Sequence, residues 1–331
     1  MRALLKPLIL PLLRKREGMI AAQAARFRIR NDAGKALVSR LGEAFLGGYN
    51  AMLSRESLEH VAATGNGIET HFRPFFFEGA AMGYLPRGYY TKDCSPEHAM
   101  ADLLRMHPGF LYLYYVGLGF WFGFRHPGRP SRLERIAGHL DPLYFPLCYD
   151  GFGFKLGFFD FPRDPAAAAR LERCPAERRP YAYQGFGRAM FFVYMDDEAG
   201  FRELAGSPPL AERRADLELG RALACGFTGV DRPETLLGFV AAARDEQELA
   251  ARLTGVTWAL TARRMNDPEY FERCIGPAGQ TGRLPLARLP EICNEALAVA
   301  TSYGDWQART REAALALHAG VHGGAEEVER G

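Results

Sequence analysis
Tyr149-Asp150-Gly151-Phe152-Gly153-Phe154-Lys155-Leu156-Gly157-Phe158-Phe159 is the stretch on which the fold turns. Alone it resembles a glycine-rich phosphate loop. Its pattern recurs, however, as an aromatic residue, any residue, glycine, any residue and a small residue. The copies are Phe77-Glu78-Gly79-Ala80-Ala81, Tyr115-Val116-Gly117-Leu118-Gly119, the stretch itself, and Tyr183-Gln184-Gly185-Phe186-Gly187. Weaker copies follow at Leu219-Gly220-Arg221-Ala222 and Thr254-Gly255-Val256-Thr257. The first glycines are spaced by 38, 34, 34, 35 and 35 residues. A fixed period of this size marks a repeat architecture and outranks any local reading.

Each copy lies in an apolar, aromatic helical segment, followed by a Pro-bearing connection and a shorter amphipathic helix. Such second helices are expected over Ser95–Met106, Ala166–Arg173, Asp197–Ala205 and Pro233–Ala243. The fold class is therefore all-α: about six helical-hairpin repeats of 34–38 residues, forming a curved superhelix or an α/α toroid. On a helix the motif glycine and the small residue two later point about 200° apart, toward different neighbours. Small residues there let helix backbones approach closely.

The expected organisation is an N-terminal helical segment over residues 1–70, a repeat domain over 71–315 and a flexible tail over 316–331. Asn31 or Asp32 caps a helix that Gly47-Gly48 ends or kinks, and Leu58–Glu69 reads as a loop-rich lead-in. Residues 289–302 and 306–317 read as closing helices. The apolar run Leu4–Leu13, broken by Pro7 and Pro11, is followed by Arg14-Lys15-Arg16. A signal peptide has the opposite charge order, and the run is too short to span a bilayer. It reads as a helix docking on the repeats, with weak membrane-surface contact through residues 1–16 as the alternative. The protein is expected to be cytoplasmic.

A net charge of +2 gives no argument for nucleic acid as a partner. The six cysteines are scattered without a CxxC pair, as reduced and mostly buried thiols are. No metal or other cofactor is expected. His318 and His322 have a spacing that suits a metal pair, but they open a Gly-rich tail. A dinucleotide site at Gly151 would need a strand and an acidic residue about 20 positions on, and the Pro/Ala/Arg segment there offers neither.

The residue before each motif glycine carries the chemistry. It is Glu78, Val116, Asp150, Gln184, Leu219 and Thr254. A carboxylate among phenylalanines is desolvated, and burial raises its pKa unless a cation pairs with it. Glu78 and Asp150 are thus the candidate catalytic acid/base residues. The competing reading is a buried ion pair in which Arg188 or Lys155 satisfies Asp150. In an open solenoid positions two repeats apart are roughly 20 Å apart, from helix spacings of 8–10 Å. Cooperation of the two carboxylates is then expected only in a nearly closed ring. Tyr115, Phe120, Tyr149, Phe154, Tyr183, Gln184, Arg188 and Trp258 are the expected substrate-binding residues, the rings enclosing an apolar chain and stabilising cations.

At Phe77–Met82, Val116–Gly119, Asp150–Phe154, Gln184–Arg188 and Ala215-Asp216 the chain resembles a bacterial family known as domain of unknown function 1702. The resemblance covers most of the chain. Lys155 stands where that family's pattern has His, which weakens a proton relay there. Members often accompany gene clusters for enediynes and other polyketide or terpenoid products, which implies specialised metabolism. The expected function is a cofactor-independent cyclase or isomerase of natural-product biosynthesis, acting on a large apolar polyene, polyketide or isoprenoid in an aromatic-lined cavity. The alternative is a non-catalytic helical-repeat scaffold that binds a partner protein of the pathway.

Overall fold
Glycine weakens a helix by about 1 kcal/mol relative to alanine, so a helix rich in glycine needs compensation from its neighbours. The computed structural model shows where it comes from. It describes residues 13–14, 18–54, 56–276 and 284–329, with side chains as far as residue 321. Among these the chain is entirely helical, without a strand. It folds as two compact units, Met1–Arg213 and Arg214–Gly331.

In the first unit five long helices carry the repeat: α1 (Asp32–Met52), α2 (Arg73–Thr91), α3 (Leu111–Arg125), α4 (Pro146–Lys155) and α5 (Arg179–Val193). Each packs on the next in chain order. The contact is backbone to backbone. A methyl group at Gly79 would lie 1.9 Å from the Phe45 carbonyl oxygen. At Gly117, Gly151 and Gly185 it would lie 2.3, 2.0 and 1.8 Å from the carbonyl oxygens of Glu78, Val116 and Asp150. Gly117, Gly151 and Gly185 therefore each sit on the carbonyl that precedes the motif glycine one helix earlier. The second small residue faces the next helix: Gly119 lies against the Cys148 carbonyl and Gly153 against that of Ala182.

The same arithmetic exposes a copy that the sequence pattern conceals. Gly48 lies against the Phe76 carbonyl as a second-position glycine does, which puts Leu46 at the first position. Helix α1 thus shares the glycine register, although its residues were expected to belong to a separate segment. Gly47-Gly48 does not end it, since the helix runs on to Met52. The Asn31 side chain caps it, accepting from the Gly34 N–H at 2.6 Å.

The connections are short helices laid against the long ones. Leu58–Asn66 is helical rather than a loop: the Ser57 hydroxyl caps it by accepting from the His60 N–H, and Val61 is fully buried. The segment Pro165–Arg173 forms a 3-10 helix where an α-helix was expected. Ala99–Met106, Glu198–Ala205 and Pro233–Ala241 match the expected second helices. Phe76, Phe77, Tyr84, Tyr114, Tyr149 and Tyr183 are almost wholly buried, and each phenylalanine contributes about 1.5–3 kcal/mol by removal from water.

The second unit contains α6 (Arg214–Thr228), α7 (Glu246–Asn266), α8 (Leu289–Val299) and α9 (Tyr303–Glu329). Gly255 on α7 packs on the Leu219 carbonyl of α6, repeating the same register. Helix α7 packs in turn on α8 and α9. Residues 316–329, expected as a frayed tail, continue α9. The unit boundary falls at 213/214, inside the span expected as one repeat domain. The proposed docking of residues 4–13 lies, apart from Leu13, outside the described residues, as does the side chain of His322. No helix among the described residues is long and apolar enough to cross a membrane.

Candidate functional site
The register before the motif glycine places Glu78 on α2, Val116 on α3, Asp150 on α4 and Gln184 on α5, on consecutive packed helices. Arg188 lies one turn beyond Gln184 on α5. Its Nη2 stands 2.8 Å from Asp150 Oδ1 and 3.9 Å from Glu78 Oε1. The 2.8 Å approach is a close buried ion pair. Gln184 Nε2 donates to Asp150 Oδ2 at 2.8 Å. All four side chains are buried, Asp150 and Gln184 at 1% exposure.

Glu78 and Asp150 are therefore neighbours, both within reach of one guanidinium. They lie closer than the roughly 20 Å expected for an open solenoid: the glycine contacts bring the backbones together, and the long Arg188 side chain reaches both carboxyls. Lys155, the other candidate partner for Asp150, is engaged elsewhere. Its Nζ donates to both oxygens of Asp160, at 2.9 and 2.8 Å, across the π-helical turn Leu156–Asp160 that extends α4. Burial lowers the Lys155 pKa against the opposing pull of Asp160.

The two carboxyls differ in environment. Burial pushes Glu78 up to about 7, with Arg188 opposing and Asp150 reinforcing the rise. Burial also raises Asp150, but Arg188 and the Gln184 amide act directly against it. Asp150, expected as a catalytic carboxylate, thus has the contacts of a counter-ion. Glu78 has only the more distant guanidinium as a cationic neighbour among the described residues.

Phe120 and Phe154 adjoin this cluster. The Arg188 guanidinium lies 4.8 Å from the Phe154 ring centroid. Phe154 packs on Phe120 at 5.5 Å and stacks on Phe158 at 5.3 Å, and Phe120 meets Phe45 at 5.0 Å. These rings were expected to line a cavity; here they pack on one another.

The tyrosines one position earlier in the register are directed elsewhere. Tyr149 donates to Glu134 Oε1 at 2.8 Å, Tyr183 donates to Glu172 Oε1, and Tyr115 accepts from the Asp141 N–H. They peg the long helices to their connecting segments, and so do not join Asp150. Trp258 belongs to the second unit, where it packs on Trp306 and Tyr303 at 4.9 and 5.0 Å.

Sequence reasoning missed one buried charged cluster. In the second unit Glu218 and Glu248 lie among Arg214, Arg221, Arg244 and Arg252. Arg252 pairs with Glu248 and stands 3.5 Å from Glu218, while its Nη1 donates to the Phe239 carbonyl at 2.6 Å. The signal was present: Glu218 occupies the register that is Phe77, Tyr115, Tyr149 and Tyr183 in other copies. A charge replacing a buried ring needs a buried partner.

No curated protein and no solved structure matches the chain. The sequence profile of the family described as "Protein of unknown function (DUF1702)" matches residues 9–273, so the helices of the first unit, the glycine register and the Glu78–Asp150–Arg188 cluster all lie within the matched span, and the chain belongs to the DUF1702 family.

Proposed function
We propose that the protein is a cofactor-independent acid–base enzyme of natural-product biosynthesis, a cyclase or isomerase of a large apolar polyene, polyketide or isoprenoid. The observation that carries this reading is the Glu78 carboxyl, sealed among helices and brought to about 7 beside an aromatic cluster. An acid with a pKa near ambient pH is suited both to give a proton and to take one back. Glu78 transfers its proton to an alkene or enol carbon, leaving a cationic substrate and a carboxylate. The same carboxylate then removes a proton from an adjacent carbon, so the substrate's atoms are conserved. Phe120 and Phe154 stabilise the cation, at about 0.5–2 kcal/mol for each cation–π contact. An apolar chain entering the cluster replaces ring–ring contacts with ring–substrate contacts of the same kind. Asp150 and Gln184 act as positioning residues that hold Arg188 and limit its attraction for Glu78.

A second reading has its own support. The Asp150–Arg188 pair and the packed rings also suit a purely structural core, in a scaffold that binds a pathway protein. The expected curved superhelix or toroid belongs with these proposals, and small-angle scattering tests it. The functional test is metabolite analysis of producing cells whose only copy carries Glu78→Gln. The enzyme reading predicts loss of the product and accumulation of a precursor of equal mass, because cyclisation and isomerisation conserve atoms. Unchanged product in cells with normal levels of the variant removes it.

A further inference from the structure
The second unit holds a cavity of about 440 Å3 bordered by α6, α7 and α9. That volume lies within the roughly 300–1,000 Å3 of small-molecule sites. Its floor uses the register that places Glu78 and Asp150 in the first unit: Leu219 and Thr254 precede Gly220 and Gly255, and Ala251 lies one turn back. The Thr254 hydroxyl donates to the Ala250 carbonyl at 2.7 Å, so its proton is used within the helix and its methyl is left for the cavity. The floor is consequently apolar.

The rim is different. Glu246 and Gln247 come from the first turn of α7, and Gln307 and Arg311 lie one turn apart on α9. Among the described residues none of these four side chains has a hydrogen bond or ion pair within the protein. Nearby charges do. Asp245 pairs with Arg214, Glu248 with Arg214, Arg244 and Arg252, and Arg309 with Asp305. The unit pairs these charges and leaves one carboxylate, one guanidinium and two carboxamides around a concave apolar floor. Asp216, half-buried and engaged within the protein, adds a second carboxylate to the lining. A simple anion is disfavoured by that balance, and a simple cation leaves the guanidinium without a partner.

We propose that this cavity binds a compact zwitterion with an apolar body, of the apolar α-amino acid class, its carboxylate on Arg311 and its ammonium on Glu246. A guanidinium takes a carboxylate through two parallel hydrogen bonds, which sets orientation as well as affinity. Gln247 and Gln307 can donate or accept at either end. The apolar body covers Leu219, Ala251 and the Thr254 methyl. The inference stands on the second unit alone and does not depend on the role of Glu78.

The experiment is calorimetric titration of the full chain with L-phenylalanine and L-leucine, beside N-acetyl-L-phenylalanine, which lacks the ammonium, and L-phenylalaninamide, which lacks the carboxylate. Saturable binding of a free amino acid is expected, weakened about tenfold by removal of either charge. Arg311→Gln should abolish the preference for the free acid over the amide, and Glu246→Gln the preference for the free amine over the acetylated form. Both positions are exposed, and melting curves without ligand confirm that the variants fold. Absence of binding by either amino acid overturns the proposal. So does affinity for the single-charge analogues equal to that for the free amino acid, or an unchanged preference in both variants.

Discussion
Glu78 makes a pH prediction whose sign is fixed by its environment. Its carboxyl rises from an ordinary 4.5 to about 7, so between those values the folded state holds a proton that the unfolded state has released. Stability from this group is complete below pH 4.5 and is lost as pH rises through 7. The difference corresponds to about 3 kcal/mol. Glu78→Gln should therefore melt like the native protein near pH 4 and at a higher temperature near pH 8. Equal melting temperatures at both pH values would show that Glu78 is not desolvated. Asp150→Asn acts oppositely, because it removes the close partner of a buried guanidinium. We expect a loss of about 3 kcal/mol in denaturant unfolding. We also expect a lower Glu78 pKa, since a like charge has gone and Arg188 is free to turn toward it. The candidacy of Glu78 and Asp150 was legible from a polar residue recurring beside the motif glycine. The difference between their environments was not, because it depends on which carboxyl lies 2.8 Å and which 3.9 Å from Arg188.

Helices in this protein are joined by close backbone approach, and glycine is the residue that permits it. Gly151→Ala would drive a methyl to 2.0 Å from the Val116 carbonyl oxygen, a contact that only backbone movement relieves. The expected cost exceeds about 3 kcal/mol. Gly238 provides the control, since it lies inside the helix Pro233–Ala241 with nothing within 4 Å of an added methyl. Gly238→Ala should stabilise by up to about 1 kcal/mol. Similar effects of the two substitutions in thermal unfolding would contradict the stacking account. The period of the glycines was visible in the sequence because close contact demands the same residue at each crossing. The copy in α1 escaped because Leu46 occupies its first position, which requires glycine only where a preceding helix approaches. Gly65-Asn66-Gly67 suggests a loop-rich lead-in over Leu58–Glu69, whereas the Ser57 cap and buried Val61 decide for a helix over Leu58–Asn66.

At the scale of the molecule, one repeat register serves two compact units. It lays Glu78 and Asp150 beside aromatic rings in the first, and it floors a cavity with Leu219 and Thr254 in the second. The all-helical class follows from the repeat spacing. The boundary at 213/214 does not, because the motif recurs on both sides of it at nearly unchanged spacing. An equal-mass precursor, which the proposed function predicts in Glu78→Gln cells, would provide the reagent for the most direct test of acid–base catalysis. Purified native protein is incubated with that precursor in deuterium oxide, and the product is analysed by mass and by carbon position. Proton transfer from Glu78 predicts a solvent deuterium on carbon, at a rate that collapses in the folded Glu78→Gln variant. Product formed without deuterium, and at the same rate in the variant, would contradict it.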